Sequence, residues 1–323
     1  MGLVTILLVY DATAMRLPDL GNWGDVFWTG IVLGVPLFGL LLLALPLAQR
    51  GRGWLLGAVG VFAAVAIGTS VLGLDGVANI AKLAAAGFAG FLFVSFFEDV
   101  SWLVAVAVAI TIADTISVWR GPTHYIVTKQ PNAFAIDSVA FAPPGERVVS
   151  LRWKPAPGDG NAPFTLRSWR IVDGRRTHLR EATVDSGPFD ILTDAHIRYA
   201  IELEGRAGRT RIALAPLSSH PSEPVGVARA FTAHVRKAAS RLGLTDVVFF
   251  AVFLAGAARF GLRRRWTWVG LVLGVAASGA ASLSDPFGIG GVPALPFISV
   301  GFLLPNADLL WQRLRSGRRA EGS

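Results

Sequence analysis

The chain has 323 residues, of which 53% are hydrophobic and only 16% charged, with a mean hydropathy of +0.53; that is too apolar for an ordinary soluble domain, where about a quarter of residues carry charge. With no cysteine, disulfides, thiolate nucleophiles and cysteine-ligated metals are excluded. The formal charge of +8 does not point to nucleic acid, because the arginines cluster beside apolar runs (Arg50 and Arg52, 263–265, 313–319), the pattern that fixes orientation in a lipid bilayer.

The opening MGLVTILLVYDATAM lacks the basic start and cleavage site of a signal peptide, and its apolar run is too short to span alone. It reads as a partial or tilted helix, or as what remains of a longer amino-terminal region. Runs of roughly 20 apolar residues predict spans at 26–47, 54–74, 77–97 and 101–119, then at 244–262, 266–283 and 292–311. The expected fold is an all-α membrane bundle of seven to eight spans with an inserted all-β sandwich. Its parts are amino-terminal helices at 1–119, an extracytoplasmic interval at 120–243, carboxy-terminal helices at 244–311 and a basic cytoplasmic tail at 312–323. The orientation follows from putting the Arg50/Arg52 turn in the cytoplasm, which places 263–265 and the tail there too, with the Asp75 and Asp285 connections outside.

Within 120–243 the pattern turns to alternation: Val149, Leu151 and Trp153; Trp169 and Ile171; Ile197, Tyr199, Ile201 and Leu203; Ile212 and Leu214. Turn residues separate these strands at 155–160, Asp173-Gly174 and 205–208. A small β-sandwich is expected at about 144–216, with Trp169 and Tyr199 in its core. The Leu-x-Trp strand and the late Tyr strand are similar to a fibronectin type III module. A linker from Pro221 to Pro224 should lead into a basic amphipathic helix at about 227–241 lying on the membrane surface.

Two acids need explaining, since a charge in mid-membrane costs about 2.5–3.5 kcal/mol on insertion scales and marks a task. Asp114 lies shortly before Arg120 and Asp246 shortly after Arg241, so each stands roughly 7–9 Å from its polar marker at 1.5 Å per residue. Two carboxyl groups at one depth suit hydrolysis, in which they share a proton, one activating water and the other protonating the scissile carbonyl or departing amine.

The stretch Ala113-Asp114-Thr115-Ile116-Ser117-Val118-Trp119 resembles the first catalytic motif of the presenilin and signal peptide peptidase family, especially its archaeal and bacterial members. Gly243-Leu244-Thr245-Asp246 resembles their second, Gly-x-Gly-Asp, and Pro293-Ala294-Leu295-Pro296 their Pro-Ala-Leu motif. The resemblance covers about 101–119 and 242–310, in family order. It departs at Ala113, where the family carries Tyr, at Thr245, where it carries a second Gly, and in the family's nine spans.

What this resemblance implies is intramembrane aspartyl proteolysis of transmembrane protein or peptide substrates. Asp114 and Asp246 would be the catalytic pair, while Pro293, Ala294 and Leu295, with Gly243 and Thr245, would line the substrate site. The two prolines of the last motif would leave backbone carbonyls unpaired beside a polar cavity. No cofactor or metal is implied. His124, His178, His196, His220 and His234 lack metal-ligand spacing, Lys82 reads as snorkelling to the outer surface, and Tyr10-Asp11 spells the family dipeptide without its partners.

Two rival readings remain at this stage. One is an inactive protease fold acting as a receptor or scaffold, which binds an extracytoplasmic protein partner through the β-domain. The other is an ion-coupled transporter, which would usually need repeated halves that the chain lacks.

Overall fold

The computed structural model describes residues 2–17, 24, 27–120, 138–141, 146–159, 163–184, 189–194, 196–216, 221–227, 229, 231–237, 240–283 and 292–320. His124, His220 and the Asp285 connection lie outside the described residues. The chain divides into a helical unit (Met1–Ala12, Asn22–Phe141, Ser240–Ser323) and a second unit (Thr13–Gly21, Ala142–Ala239).

The helices are α1 (Gly2–Thr13), α2 (Gly34–Ala44), α3 (Arg52–Val71), α4 (Asp75–Val94), α5 (Ser101–Arg120), α6 (Leu244–Arg259), α7 (Arg264–Leu283) and α8 (Leu295–Ala320). Among the described residues three helical stretches, Arg52–Val71, Asp75–Val94 and Ser101–Val118, are long and apolar enough to cross a bilayer; Gly2–Thr13 and Gly34–Gln49 are shorter apolar helices. Seven to eight spans, as hydropathy predicts, are therefore not supported. The run at 26–47 is divided into a π-helical stretch at Trp28–Leu33, α2, and a 3-10 turn at Leu45–Gln49 that Pro46 initiates. Helix α6 has 16 residues, about 24 Å against a hydrocarbon core of about 30 Å. Helix α7 opens on Arg264 and Arg265, and α8 runs on through Asp308 into Arg313.

Helix α6 is the central element of the helical unit. Val247, Phe250 to Leu254 and Ala257 are fully buried, so the helix is apolar all round because protein surrounds it. Phe250 stacks on Phe38 of α2 with ring centroids 4.0 Å apart, and Phe253 on Phe302 of α8 at 4.6 Å. On α4, Gly90 lets the backbones approach: a Cβ there would lie 2.5 Å from the Val248 carbonyl oxygen and 2.7 Å from the Ala251 methyl. Helices α7 and α8 meet in the same way at Gly270 and Gly301, where an added Cβ would collide with the facing backbone. Where lipid removes most of the hydrophobic drive for helix association, such small-residue contacts carry the packing.

The strands are β1 (Ser138–Phe141), β2 (Glu146–Trp153), β3 (Phe164–Val172), β4 (Arg175–Val184), β5 (Phe189–Asp194), β6 (Arg198–Gly205), β7 (Gly208–Leu214), β8 (Val225–Gly226), β9 (Phe231–Lys237) and β10 (Ser240–Gly243). In the second unit an antiparallel sheet β5-β2-β9 faces an antiparallel sheet β4-β3-β6-β7-β8. Val149, Leu151 and Trp153 from one sheet and Phe164, Leu166, Tyr199, Ile201, Leu203, Ile212 and Leu214 from the other form one core, so this is a sandwich. The β3–β4 hairpin turns at Asp173 and Gly174, both at positive φ (50° and 76°), the primed turn that an Asp-Gly pair favours.

Two expectations fail here. The amphipathic helix at 227–241 is not found among the described residues: β9 occupies 231–237 and pairs with β2 from Trp153↔Phe231 to Arg147↔Lys237, and β10 pairs with β1. Phe231, Ala233 and Val235 alternate with polar residues, the two-residue period of a strand. Trp169 is outside the sandwich core. Phe164, Leu166 and Ser168 face inward, so alternation turns Trp169 to the other side, where it meets His178 edge-on at 6.1 Å beside a β-bulge.

Candidate functional site

Helix α8 supplies the reference for placing the predicted residues. Its first residue, Leu295, donates its backbone N–H to Asp114 Oδ2 of α5 at 3.0 Å. One turn on, the Ser299 hydroxyl donates to the Ala107 carbonyl at 3.2 Å. The first contact joins a late α5 residue to an early α8 residue and the second reverses the trend, so α5 and α8 are antiparallel. On its α6 side, α8 stacks Phe302 on Phe253, and further along Arg313 donates to the Phe260 carbonyl, so α6 and α8 run the same way.

Two helical turns before Phe302 is Leu295, and two turns before Phe253 is Asp246. Two turns carry a residue about 10 Å along its axis and return it to within about 20° of the same face. Asp246 therefore stands at the level of Leu295, on the α6 face that meets α8. A second contact gives the same level: a Cβ on Gly256 of α6 would lie 2.6 Å from the Leu103 methyls of α5. From there Asp246 is about 15 Å along α6 and Asp114 about 16 Å along α5. Asp114, Asp246 and the first turn of α8 thus share one depth.

Each acid also has a local role. Asp114 continues the inward face of α5 marked by the buried Leu103 and Ala107, and it satisfies a helix N-terminal N–H that has no intrahelical acceptor. Asp246 is the third residue of α6 after Gly243, the N-terminal cap. Its carboxylate folds towards that cap, for a Cβ on Gly243 would lie 3.1 Å from Asp246 Oδ2; the amino end of a helix favours an anion there. Thr245 and Ala113 are both exposed, so the β-branched side chain of Thr245 is not wedged between packed helices.

Pro293 and Leu295 are buried and Ala294 half-buried. Pro296 sits in the first turn of α8, where a missing N–H costs no helical bond. The unpaired carbonyls expected of a mid-helix proline, and the polar cavity argued from them, therefore do not follow. Sequence reading missed Ser299 and the trio of the buried Asn306 and Thr267 with the Arg263 N–H. In that trio Asn306 Nδ2 donates to Thr267 Oγ1 at 2.7 Å and the Arg263 backbone donates to Asn306 Oδ1 at 3.0 Å. The signal was present: Leu295, Ser299, Phe302 and Asn306 recur at the spacing of one helix face.

In the second unit the notable polar group is the fully buried pair Asp159–Arg229, bonded in two places at 2.6 and 2.9 Å. Asp159 also accepts the N–H groups of Ala156 and Ala207, while Arg229 reaches the Gly208 carbonyl and the Thr210 hydroxyl. These bonds tie the Ala156–Asp159 turn, Ala207 and β7 to Arg229, which is a structural function. Among the described residues no group of three His, Cys, Asp or Glu is arranged to hold a metal ion.

No protein-family model matches the chain, and no curated protein or solved structure is significantly similar to it.

Proposed function

We propose that this chain is a multi-pass intramembrane aspartyl protease that hydrolyses peptide bonds of transmembrane substrates with Asp114 and Asp246. What supports the reading is the shared level of the two carboxylates at the amino end of α8, together with the order of the Asp, Asp and Pro-Ala-Leu segments along the chain. One carboxylate takes a proton from water while the other protonates the scissile carbonyl or the departing amine. The Leu295 N–H fixes one oxygen of Asp114, and the Pro293 to Leu295 segment holds an unwound stretch of substrate. The shorter helices complete the bundle, and its arginine end (Arg52, Arg259, Arg263, Arg313) faces the cytoplasm. The β-sandwich then lies on the extracytoplasmic side. Cleavage of a model transmembrane peptide by the purified chain tests this: Asp114→Asn and Asp246→Asn should each lower the rate by about 10²–10⁴-fold, and full activity in either variant overturns it.

A second reading is favoured by the local roles of the same acids. Asp114 accepts the first N–H of α8 and Asp246 folds onto the cap of its own helix, which suits a non-catalytic scaffold that binds an extracytoplasmic protein through the sandwich. A folded parent chain that binds an extracytoplasmic protein yet leaves the model peptide uncut decides for the scaffold.

A further inference from the structure

A cavity of about 240 Å³ lies among α1, α2, α3 and α4, lined by apolar side chains that include Val4, Leu40, Phe62, Ile80 and Ala84. These five are half-buried, so the cavity is a slot open on the flank of the helical unit. Its wall on α4 runs from Ile80 to Phe91, about 16 Å at 1.5 Å per residue. That is about the hydrocarbon depth of one leaflet, half of the roughly 30 Å core.

One turn beyond Phe91 the chemistry changes. Arg52 donates to the Ser95 carbonyl at 2.8 Å and lies over the Phe96 ring at 4.4 Å. Arg52 and Arg50 are exposed. Trp54, 46% exposed, meets Phe88 of the slot edge-on at 5.6 Å, an aromatic at the level where tryptophan marks a membrane–water boundary. Along the axis the tryptophan therefore lies beside the slot's last turn, and the Arg52 guanidinium meets α4 about 6 Å past the slot's end.

We infer that this slot is a binding site for an anionic phospholipid, with one acyl chain lying between α2, α3 and α4 and its phosphate on Arg50 and Arg52. The slot is hydrocarbon-lined and of leaflet depth, it opens where lipid surrounds α3, and the cations stand where a glycerophosphate joins its chains. Charge complementarity selects the headgroup, and burial of methylenes in the slot supplies affinity. The inference does not depend on catalysis.

Native mass spectrometry of the full chain, released from micelles doped with dioleoyl phosphatidylglycerol or dioleoyl phosphatidylcholine, tests it. The parent chain should retain one phosphatidylglycerol in preference to phosphatidylcholine. Ala84→Phe, which fills the slot, should lower occupancy by about tenfold, the loss of two buried methylenes. The double variant Arg50→Gln/Arg52→Gln should erase the preference between the two lipids. Unchanged retention in Ala84→Phe, or equal retention of the two lipids by the parent, overturns the site. If the filled variant does not fold, a phosphatidylglycerol with a photoreactive group in mid-chain decides on the parent: adducts on the peptides carrying Leu40, Phe62 or Ala84 support the slot, and adducts confined elsewhere overturn it.

Discussion

The helical unit and the sandwich limit what their interiors tolerate by different means. In the helices the tightest contacts are backbone against backbone, at Gly90 and at Gly270 with Gly301, and among the described residues the buried polar side chains are uncharged, with Ser299 and Asn306 bonded to neighbouring helices. In the sandwich a charged pair is buried completely at Asp159 and Arg229, and the five-stranded sheet carries a ladder of ion pairs from Arg167 to Glu181, Glu202 and Glu204 and on to Arg209 and Arg211. Sterics should govern the first unit, and charge and pH the second. Hydrogen exchange read by mass spectrometry separates the two, since peptides from α4 and α6 report one and peptides from β3, β6 and β7 the other.

The largest effect should come from Arg229→Met. It leaves Asp159 buried and ionised without its partner, and breaking such a pair costs about 3–5 kcal/mol. Exchange should quicken throughout the sandwich while α4 and α6 peptides stay as slow as in the parent. Adding Asp159→Leu to the same chain should recover most of the loss, because a buried ion pair is often replaceable by apolar residues of similar volume. If the single variant is as stable as the parent, the charge-governed half of the comparison fails.

Acid sharpens the same point. The Arg229 hydrogen bonds hold the Asp159 carboxyl well below the usual carboxylate range against its burial, with help from the Ala207 and Ala156 N–H groups. A depressed pKa in the folded chain means that its stabilisation is complete above the unfolded value of about 3.9 and fades as pH falls from there towards the folded one. Sandwich peptides should therefore begin to exchange faster only below about pH 4. Arg229→Met should remove that dependence.

On the steric side, Gly90→Val should cost about 1–3 kcal/mol through overpacking, since its Cβ already meets the Val248 carbonyl oxygen. The loss should appear in α4 and α6 peptides and be insensitive to salt. Ser299→Ala should cost about 1 kcal/mol, the net worth of one hydrogen bond, with exchange quickened at α5 and α8. A salt-dependent loss at Gly90 would show that charge also matters within the helices.

How much of this was legible in the sequence depended on period and on parity. Val149, Leu151 and Trp153 were readable from their alternation with polar residues, and the β6 strand from Tyr199, Ile201 and Leu203 at every second position. Trp169 was not, because large size suggested core while the inward parity of β3 is set by Phe164, Leu166 and Ser168. Phe231 to Lys237 hid in a basic stretch whose charge suggested a surface helix, although its two-residue period was present. In the helical unit, α3, α4 and α5 were legible from continuous apolar runs. A shorter helix wrapped by protein, such as α6, gives the same local signal as a span, and only length tells them apart. A helical count from the flanking arginines does not carry over to Asp246, because Arg241 lies on β10 and α6 begins only at Leu244. The Leu295 N–H that Asp114 accepts was not readable, because a backbone partner leaves no mark in residue identity.

The smallest expected effect concerns the ladder on the five-stranded sheet. Arg167 bonds both Glu181 and Glu204, at 3.1 and 2.8 Å, and Glu204 is shared with Arg209 at 2.9 Å. The hydrogen bonds from Arg209 and then Arg167 hold the Glu204 carboxyl below its ordinary range. Yet these groups stand at the surface, where water and salt screen the attraction and ordering long side chains offsets much of it. Glu181→Gln should leave exchange in β3 and β4 unchanged at physiological salt. Glu204→Gln, which takes one partner from each of two arginines, should show only at low salt and vanish as ionic strength rises. A loss at high salt comparable to that of Arg229→Met would mean that the sandwich draws its stability from the ladder rather than from the buried pair. The contrast between the two units would then rest on surface charge alone.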